Sequence, residues 1–148
     1  MDYSIRDARE TDLNAIEALE KACFTLPWTR EQLHGELPDE RHEFLAAVSA
    51  DGEVLGYIGM MAVLDEGYIS NVAVAPEARR CGIGRALVRE MLRRAGNRAL
   101  SFVTLEVRAH NEGAIALYAS EGFEPVGLRR DYYERPREDA LLMTKFFR

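Results

Sequence analysis

The chain is poor in the side chains that hold metals or disulfides. Its 148 residues include two cysteines, Cys23 and Cys81, in no Cys-x-x-Cys arrangement, and three histidines, His34, His42 and His110, with no ligand spacing. No metal is expected, and a reducing cytoplasm is the simplest setting. Long apolar runs are also missing. None approaches the roughly 20 residues of a membrane span, and the opening MDYSIRDARE is charged where a secretory signal has an apolar core. Basic charge is in deficit: 19 Lys and Arg against 25 Asp and Glu leave a net charge of −6. That argues against general affinity for nucleic acid, which needs a basic footprint. It suits a cationic peptide and equally well plain solubility. Low-complexity tracts, linkers and repeats are absent, so a single domain over residues 1–148 is expected.

What is present alternates between two periods. Tyr3 to Arg6 reads as a short strand. Thr11 is placed as the N-cap of a helix whose apolar positions Leu13, Ile16, Leu19, Ala22 and Cys23 fall at helical spacing. Phe24-Thr25-Leu26-Pro27-Trp28 breaks it, and Thr29-Arg30-Glu31-Gln32 is a capping box that opens a second, short helix. Phe44–Ser49, Val54–Leu64 and Tyr68–Val74 read as strands joined by turns at Asp51-Gly52 and Asp65-Glu66-Gly67. A helix runs from Gly82 to about Gly96-Asn97, followed by a strand at Ser101–Val107. Asn111 opens a further helix closed by Gly122, and Phe123–Leu128 and Ala140–Phe146 end the series. Hairpins first and a strand–helix–strand crossover afterwards give a mixed α/β (α+β) class: about seven strands in one mixed sheet, flanked by four helices.

The segment ISNVAVAPEARRCGIGRAL, residues 69–87, passes from a strand through a basic, glycine-bearing turn into a helix. The first N–H groups of a helix have no internal partner and lie at the positive end of the macrodipole. Gly82 and Gly84 let the backbone approach an anion closely, and Arg79, Arg80 and Arg85 add positive charge. The residues fit a phosphate site and also a tight surface turn. Neither the dinucleotide fingerprint nor the P-loop pattern is matched. Glu106, in an apolar strand, reads either as a general base or as a buried carboxylate paired to Arg108 or another cation. Tyr118 reads either as a general acid or as a core aromatic.

With its elements in this order, the chain resembles the GCN5-related N-acetyltransferase (GNAT) superfamily along essentially its whole length. Arg79-Arg80-Cys81-Gly82-Ile83-Gly84 has that family's Q/R-x-x-G-x-G/A form. Further motifs are similar to its N-alpha-acetyltransferase branch, and most of all to bacterial enzymes that acetylate the N-terminal alanine of a small-subunit ribosomal protein. These motifs are Phe24-x-x-Pro27-Trp28, Leu105-Glu106-Val107-Arg108 with Asn111, Ala116-Leu117-Tyr118, Gly122-Phe123, Arg130-Asp131-Tyr132-Tyr133 and Glu138-Asp139-Ala140.

The resemblance implies a sheet splayed around acetyl-coenzyme A (acetyl-CoA). The cofactor's pyrophosphate would lie on the turn from Arg79 through Arg80, Cys81, Gly82, Ile83 and Gly84 to Arg85. Its pantetheine arm would lie along the strand Asn71-Val72-Ala73-Val74, with Val72, Ala73 and Val74 as its binding residues and Asn111 as a further contact. It implies Glu106 as base, directly or through one water, and Tyr118 as acid to the departing thiolate. Leu26, Trp28, Tyr132 and Tyr133 are the candidate walls of an acceptor slot, although aromatics there also suit ordinary edge packing. The expected partner is a protein N-terminus, of a ribosomal protein, with no nucleic acid or membrane contact; the expected enzyme is a cytoplasmic monomer. Acetylation of lysine or of a small amine is the alternative activity, and a non-catalytic acetyl-CoA-binding module the alternative class.

Overall fold

In a computed structural model of the chain, residues 2–147 are described. They form one sheet of seven strands: β1 (Tyr3–Asp7), β2 (His42–Ser49), β3 (Val54–Val63), β4 (Glu66–Val74), β5 (Phe102–Arg108), β6 (Glu124–Tyr133) and β7 (Glu138–Phe146). Their spatial order is β1-β2-β3-β4-β5-β7-β6. Only the β4–β5 pair is parallel. It is joined through α3 (Ile83–Asn97), the crossover helix that the alternation of periods implies. The other helices are α1 (Leu13–Cys23), α2 (Arg30–His34) and α4 (Glu112–Ser120). The mixed class and the element order match the sequence reading.

The core is built on both faces of the central strands. In the antiparallel β2–β3 register, Leu45 faces Ile58 and Ala47 faces Gly56. A side chain at Gly56 would meet Leu87 of α3, which fixes α3 against that face. The opposite face carries Phe44 and Tyr57, whose rings meet edge-on at 5.6 Å. It also takes α1, because Glu20 of that helix bonds Asn71, the register partner of Gly59. Leu13, Ile16, Leu45, Ile58, Leu87 and Met91 are all fully buried.

Local signals placed most boundaries, and the exceptions have physical reasons. Thr29 and Gln32 form the expected reciprocal box, Thr29 Oγ accepting from Gln32 N at 3.2 Å and Gln32 Oε1 from Thr29 N at 2.9 Å. Thr11 does not cap α1. It lies inside a 3-10 turn, Glu10–Asp12, where Asp12 accepts from Arg9 N at 2.8 Å and from both Arg6 guanidinium nitrogens at 2.7 and 3.0 Å. The β3–β4 turn is Leu64-Asp65, with Leu64 at φ 55°, and the strand resumes at Glu66. Gly67 belongs to the sheet: a Cβ there would sit 2.9 Å from Leu100 Cδ1, so glycine serves packing and not the turn. β6 runs on past Leu128 to Tyr133. Its register with β7 breaks between Arg129 and Tyr133, around Asp131 at φ 52°, so Tyr132 and Tyr133 stand at a strand end.

Candidate active site

β4 and β5 pair over three residues only, ending at Tyr68 opposite Thr104, and then diverge. The rest of β4 faces a gap where a neighbouring strand would otherwise satisfy its outward N–H and C=O groups. β4 is also bulged there. Gly59 pairs with Asn71 and Met60 with Ile69, which leaves Ser70 as the extra residue. Into this wedge opens a cavity of about 1010 Å³. That is the upper end of ordinary small-molecule pockets, about 300–1,000 Å³, and leaves room for two reactants.

The two proposed chemical groups share this cavity from adjoining elements. Glu106 on β5 and Tyr118 on α4 both line it. The Glu106 side chain is only 7 % exposed. Its Oε2 accepts a short hydrogen bond from the Tyr68 hydroxyl, and its Oε1 lies 3.4 Å from Arg129 Nε. The cation beside Glu106 is therefore Arg129. Arg108 is committed elsewhere, bonding Glu138 at 3.2 Å and lying 4.4 Å from the centre of the Tyr133 ring. Burial, and then the bond to Glu106, push the Tyr68 hydroxyl far above the usual phenol range, so it remains a donor. Tyr118 is buried and packs edge-on to Phe123 at 5.7 Å. Burial pushes its hydroxyl up to about 12, so it keeps its proton at neutral pH and is a weaker acid than a free phenol.

The donor side follows from the turn before α3. Gly82 occupies the N-cap at φ 80°, in the left-handed region, and no side chain caps the helix. A Cβ at Gly82 would meet nothing within 4 Å, so the approach to the helix N-terminus is open. Val72, Ala73, Val74, Gly84 and Asn111 line the cavity. Asn111 also caps α4, its Oδ1 accepting from Ala114 N at 3.2 Å. The remaining turn residues stand outside the cavity wall. Ile83 is buried in the core, and Arg80 and Cys81 are exposed. Arg79 folds back to bond the Val74 carbonyl at 3.3 Å, and Arg85 pairs with Glu121 at 2.7 Å. An uncapped helix start, beside a strand flank that no neighbouring strand pairs, fits an extended ligand with a phosphate at one end.

The acceptor side is formed by two loops that meet over the cavity. Leu26 and Trp28 come from the α1–α2 loop; Tyr132 and Tyr133 come from the β6–β7 hairpin, their rings edge-on at 5.1 Å. Thr25 Oγ donates to the Arg135 carbonyl at 2.6 Å and joins the two loops. Glu20 also lines the cavity, with Trp28 N at 2.7 Å from Oε1 and Asn71 Nδ2 at 3.1 Å from Oε2. Sequence reasoning missed Glu20, Tyr68, the side-chain bond of Asn71 and the Thr25–Arg135 bond. The one available signal was a glutamate on the apolar stripe of α1. His110 lies outside the cavity, bonded to Glu138. Among the described residues no cluster of three or more His, Cys, Asp and Glu side chains is placed to hold a metal, and no helix is long and apolar enough to cross a membrane.

A strand wedge beside a glycine-capped helix, with a carboxylate and a phenol lining its cavity, suits acyl transfer from an extended, phosphate-bearing donor. Residues 13–123 match the family model described as Acetyltransferase (GNAT) family. The chain belongs to the GNAT family and is an acetyl-CoA-dependent N-acetyltransferase. It is 34% identical over 143 residues to the ribosomal protein bS18-alanine N-acetyltransferase of Escherichia coli, covering 95% of each chain. It is 37% identical over 123 residues to the N-alpha-acetyltransferase RimI of Mycobacterium tuberculosis, covering 80% of this chain and 75% of that one. The crystal structure of the ribosomal-protein-S18-alanine N-acetyltransferase from Escherichia coli superposes with a TM-score of 0.90, covering 97% of this chain and 93% of that one.

Proposed function

We propose that this enzyme moves the acetyl group of acetyl-CoA to the free N-terminal amine of a protein in the cytoplasm, with the N-terminal alanine of a small-subunit ribosomal protein as its acceptor. The observation that carries this reading is the single cavity that puts Glu106 and Tyr118 beside a slot walled by Leu26, Trp28, Tyr132 and Tyr133. A slot roofed by the Thr25–Arg135 bond suits a chain end better than a bulky folded surface. The similarity to the bS18-alanine enzyme over 95% of both chains supports the choice of acceptor.

Acetyl-CoA supplies a thioester carbonyl and a thiolate leaving group. The chain's residues have three tasks around it. Glu106 takes a proton from the attacking amine, directly or through one water; an N-terminal amine titrates near 8, so a modest base suffices. Main-chain N–H groups of β4 near Val74 face the wedge and stabilise negative charge on the carbonyl oxygen, an effect of about 3 kcal/mol when well aimed. Tyr118 gives its proton to the sulfur. The turn at Gly82 and the flank Val72–Val74 hold the donor, and Asn111 adds a polar contact. Tyr68 and Arg129 orient the Glu106 carboxylate.

Synthetic peptides that differ only in residue one, with an N-terminally blocked control carrying lysine, test the proposal. Turnover of the free alanine peptide and none of the blocked lysine peptide is expected. The reverse result overturns it.

A further inference from the structure

Two carboxylates in this molecule are buried with opposite surroundings. Asp12 is 6 % exposed and is held by the Arg6 guanidinium and the Arg9 N–H, which draw its carboxyl below the usual range. Glu20 is fully buried, and among the described residues no cation stands within ion-pair distance of it. Burial lifts the Glu20 carboxyl to about 6, against the opposing Trp28 N–H, so the ionised form still prevails at neutral pH. A buried charge without a cation costs stability that only its hydrogen bonds offset. The carboxylate form is purely an acceptor on both oxygens, whereas protonation turns one of them into a donor. One oxygen takes the Trp28 main-chain N–H and the other the Asn71 amide.

Those two partners belong to the two sides of the site. Residues 25–28 cross from α1 to α2 with two hydrogen bonds to the body among the described residues. One is Thr25 Oγ to the Arg135 carbonyl, between loops, and the other is Trp28 N to Glu20, into the core. Asn71 immediately precedes Val72–Val74 and stands beside the Ser70 bulge. We propose that Glu20 is a positioning residue that joins the acceptor wall to the donor strand, fixing Trp28 and β4 at one spacing through its two oxygens. The proposal rests on the reading of the Leu26–Trp28 loop as the acceptor wall. It assigns a carboxylate outside the acid–base pair to acceptor affinity.

Trp28 is the only tryptophan of the chain, so its emission reports this loop alone. Glu20→Leu removes both bonds, whereas Glu20→Gln keeps an acceptor for Trp28 and lets the Asn71 amide turn over to meet it. In the intact protein, the leucine variant is expected to red-shift Trp28 emission and to raise the KM for an alanine peptide about tenfold, the equivalent of one charged hydrogen bond. Its kcat and acetyl-CoA KM stay within about twofold, and the glutamine variant stays near wild type in all of these. Unchanged Trp28 emission and peptide KM in a folded leucine variant overturn the proposal, as does a glutamine variant as impaired as the leucine one. If the leucine variant does not fold, Asn71→Ala decides, since it cuts the link from the strand side: a shifted Trp28 emission supports the proposal and an unshifted one overturns it. If the wild type acetylates no peptide at all, the acceptor reading fails. The emission of the same variants then still decides whether Glu20 holds the loop.

Discussion

The Tyr68 hydroxyl donates to Glu106 Oε2 at the point where β4 and β5 part. Tyr68 is the last residue of β4 paired to β5, opposite Thr104, and Glu106 lies two positions further along β5 on the same face. The final rung of the parallel pairing thus sets the place of the carboxylate proposed as base. Arg129, at 3.4 Å, approaches the other oxygen from β6.

Removing that donor leaves Glu106 to Arg129 and to the Tyr132 hydroxyl, which also bonds it. Tyr68→Phe is predicted to lower kcat by about tenfold, the weight of one hydrogen bond to a charged group, with acceptor KM changed less than twofold. Glu106→Gln should cost about 10²–10⁴ in kcat. Steady-state kinetics with an alanine peptide separate the two effects.

Tyr118 gives a pH signature. Its hydroxyl is pushed up to about 12 by burial, so it remains protonated across the usable range. The rate should rise with pH as the acceptor amine loses its proton near pH 8 and show no alkaline fall below about pH 10, where a free phenol would ionise. Tyr118→Phe should lower kcat by about 10²–10⁴ without changing acetyl-CoA binding, measured by calorimetry. An alkaline limb near pH 9 in the wild type would contradict the assignment.

At Gly82 the penalty for a side chain is conformational. The residue sits at φ 80° with open space where a Cβ would go. Gly82→Ala is predicted to cost about 1 kcal/mol of stability and to raise the acetyl-CoA KM, with the peptide KM unaffected. Gly82→Asn should cost less on both counts, because asparagine tolerates the left-handed region. Chemical denaturation and donor titration check the pair.

Glu20 makes stability depend on pH with a definite sign. Its folded value of about 6 lies above the ordinary 4.5, so the folded state holds a proton that the unfolded chain has already released between those values. Stability therefore falls as pH rises through that window. The ionisable groups that share its cavity include Cys23, Tyr68, Glu106 and Arg108. Glu20→Gln removes the titration. Relative to wild type, the glutamine variant should gain roughly 2 kcal/mol between pH 4.5 and pH 7.5, read from urea unfolding at the two values. A difference independent of pH would contradict the buried, cation-free carboxylate.

Contacts near in sequence were legible and distant ones were not. The Thr29–Gln32 box, the Asn111 cap and the glycine turn at Gly82 each depend on residues within a few positions, so residue type and spacing suffice. Glu106 and Tyr118 were visible through family motifs and share the cavity. The links that make the site one unit join residues 38 apart for Tyr68–Glu106, 51 apart for Glu20–Asn71 and 110 apart for Thr25–Arg135. No local rule encodes such pairings. The same limit explains why Arg108 was weighed as the partner of Glu106: only the β6–β7 register brings Arg129 to that position. Thr11 and Gly67 were assigned to a cap and a turn by residue type, where Asp12 and close packing on Leu100 decide.

The central claim is the nitrogen that receives the acetyl group. One peptide with a free N-terminal alanine and an internal lysine offers both kinds of amine at equal concentration. After incubation with enzyme and acetyl-CoA, fragment masses locate the added acetyl group. The account predicts it on the alanine α-amine, with the lysine unmodified. Acetylation of the lysine with the α-amine left free would contradict it.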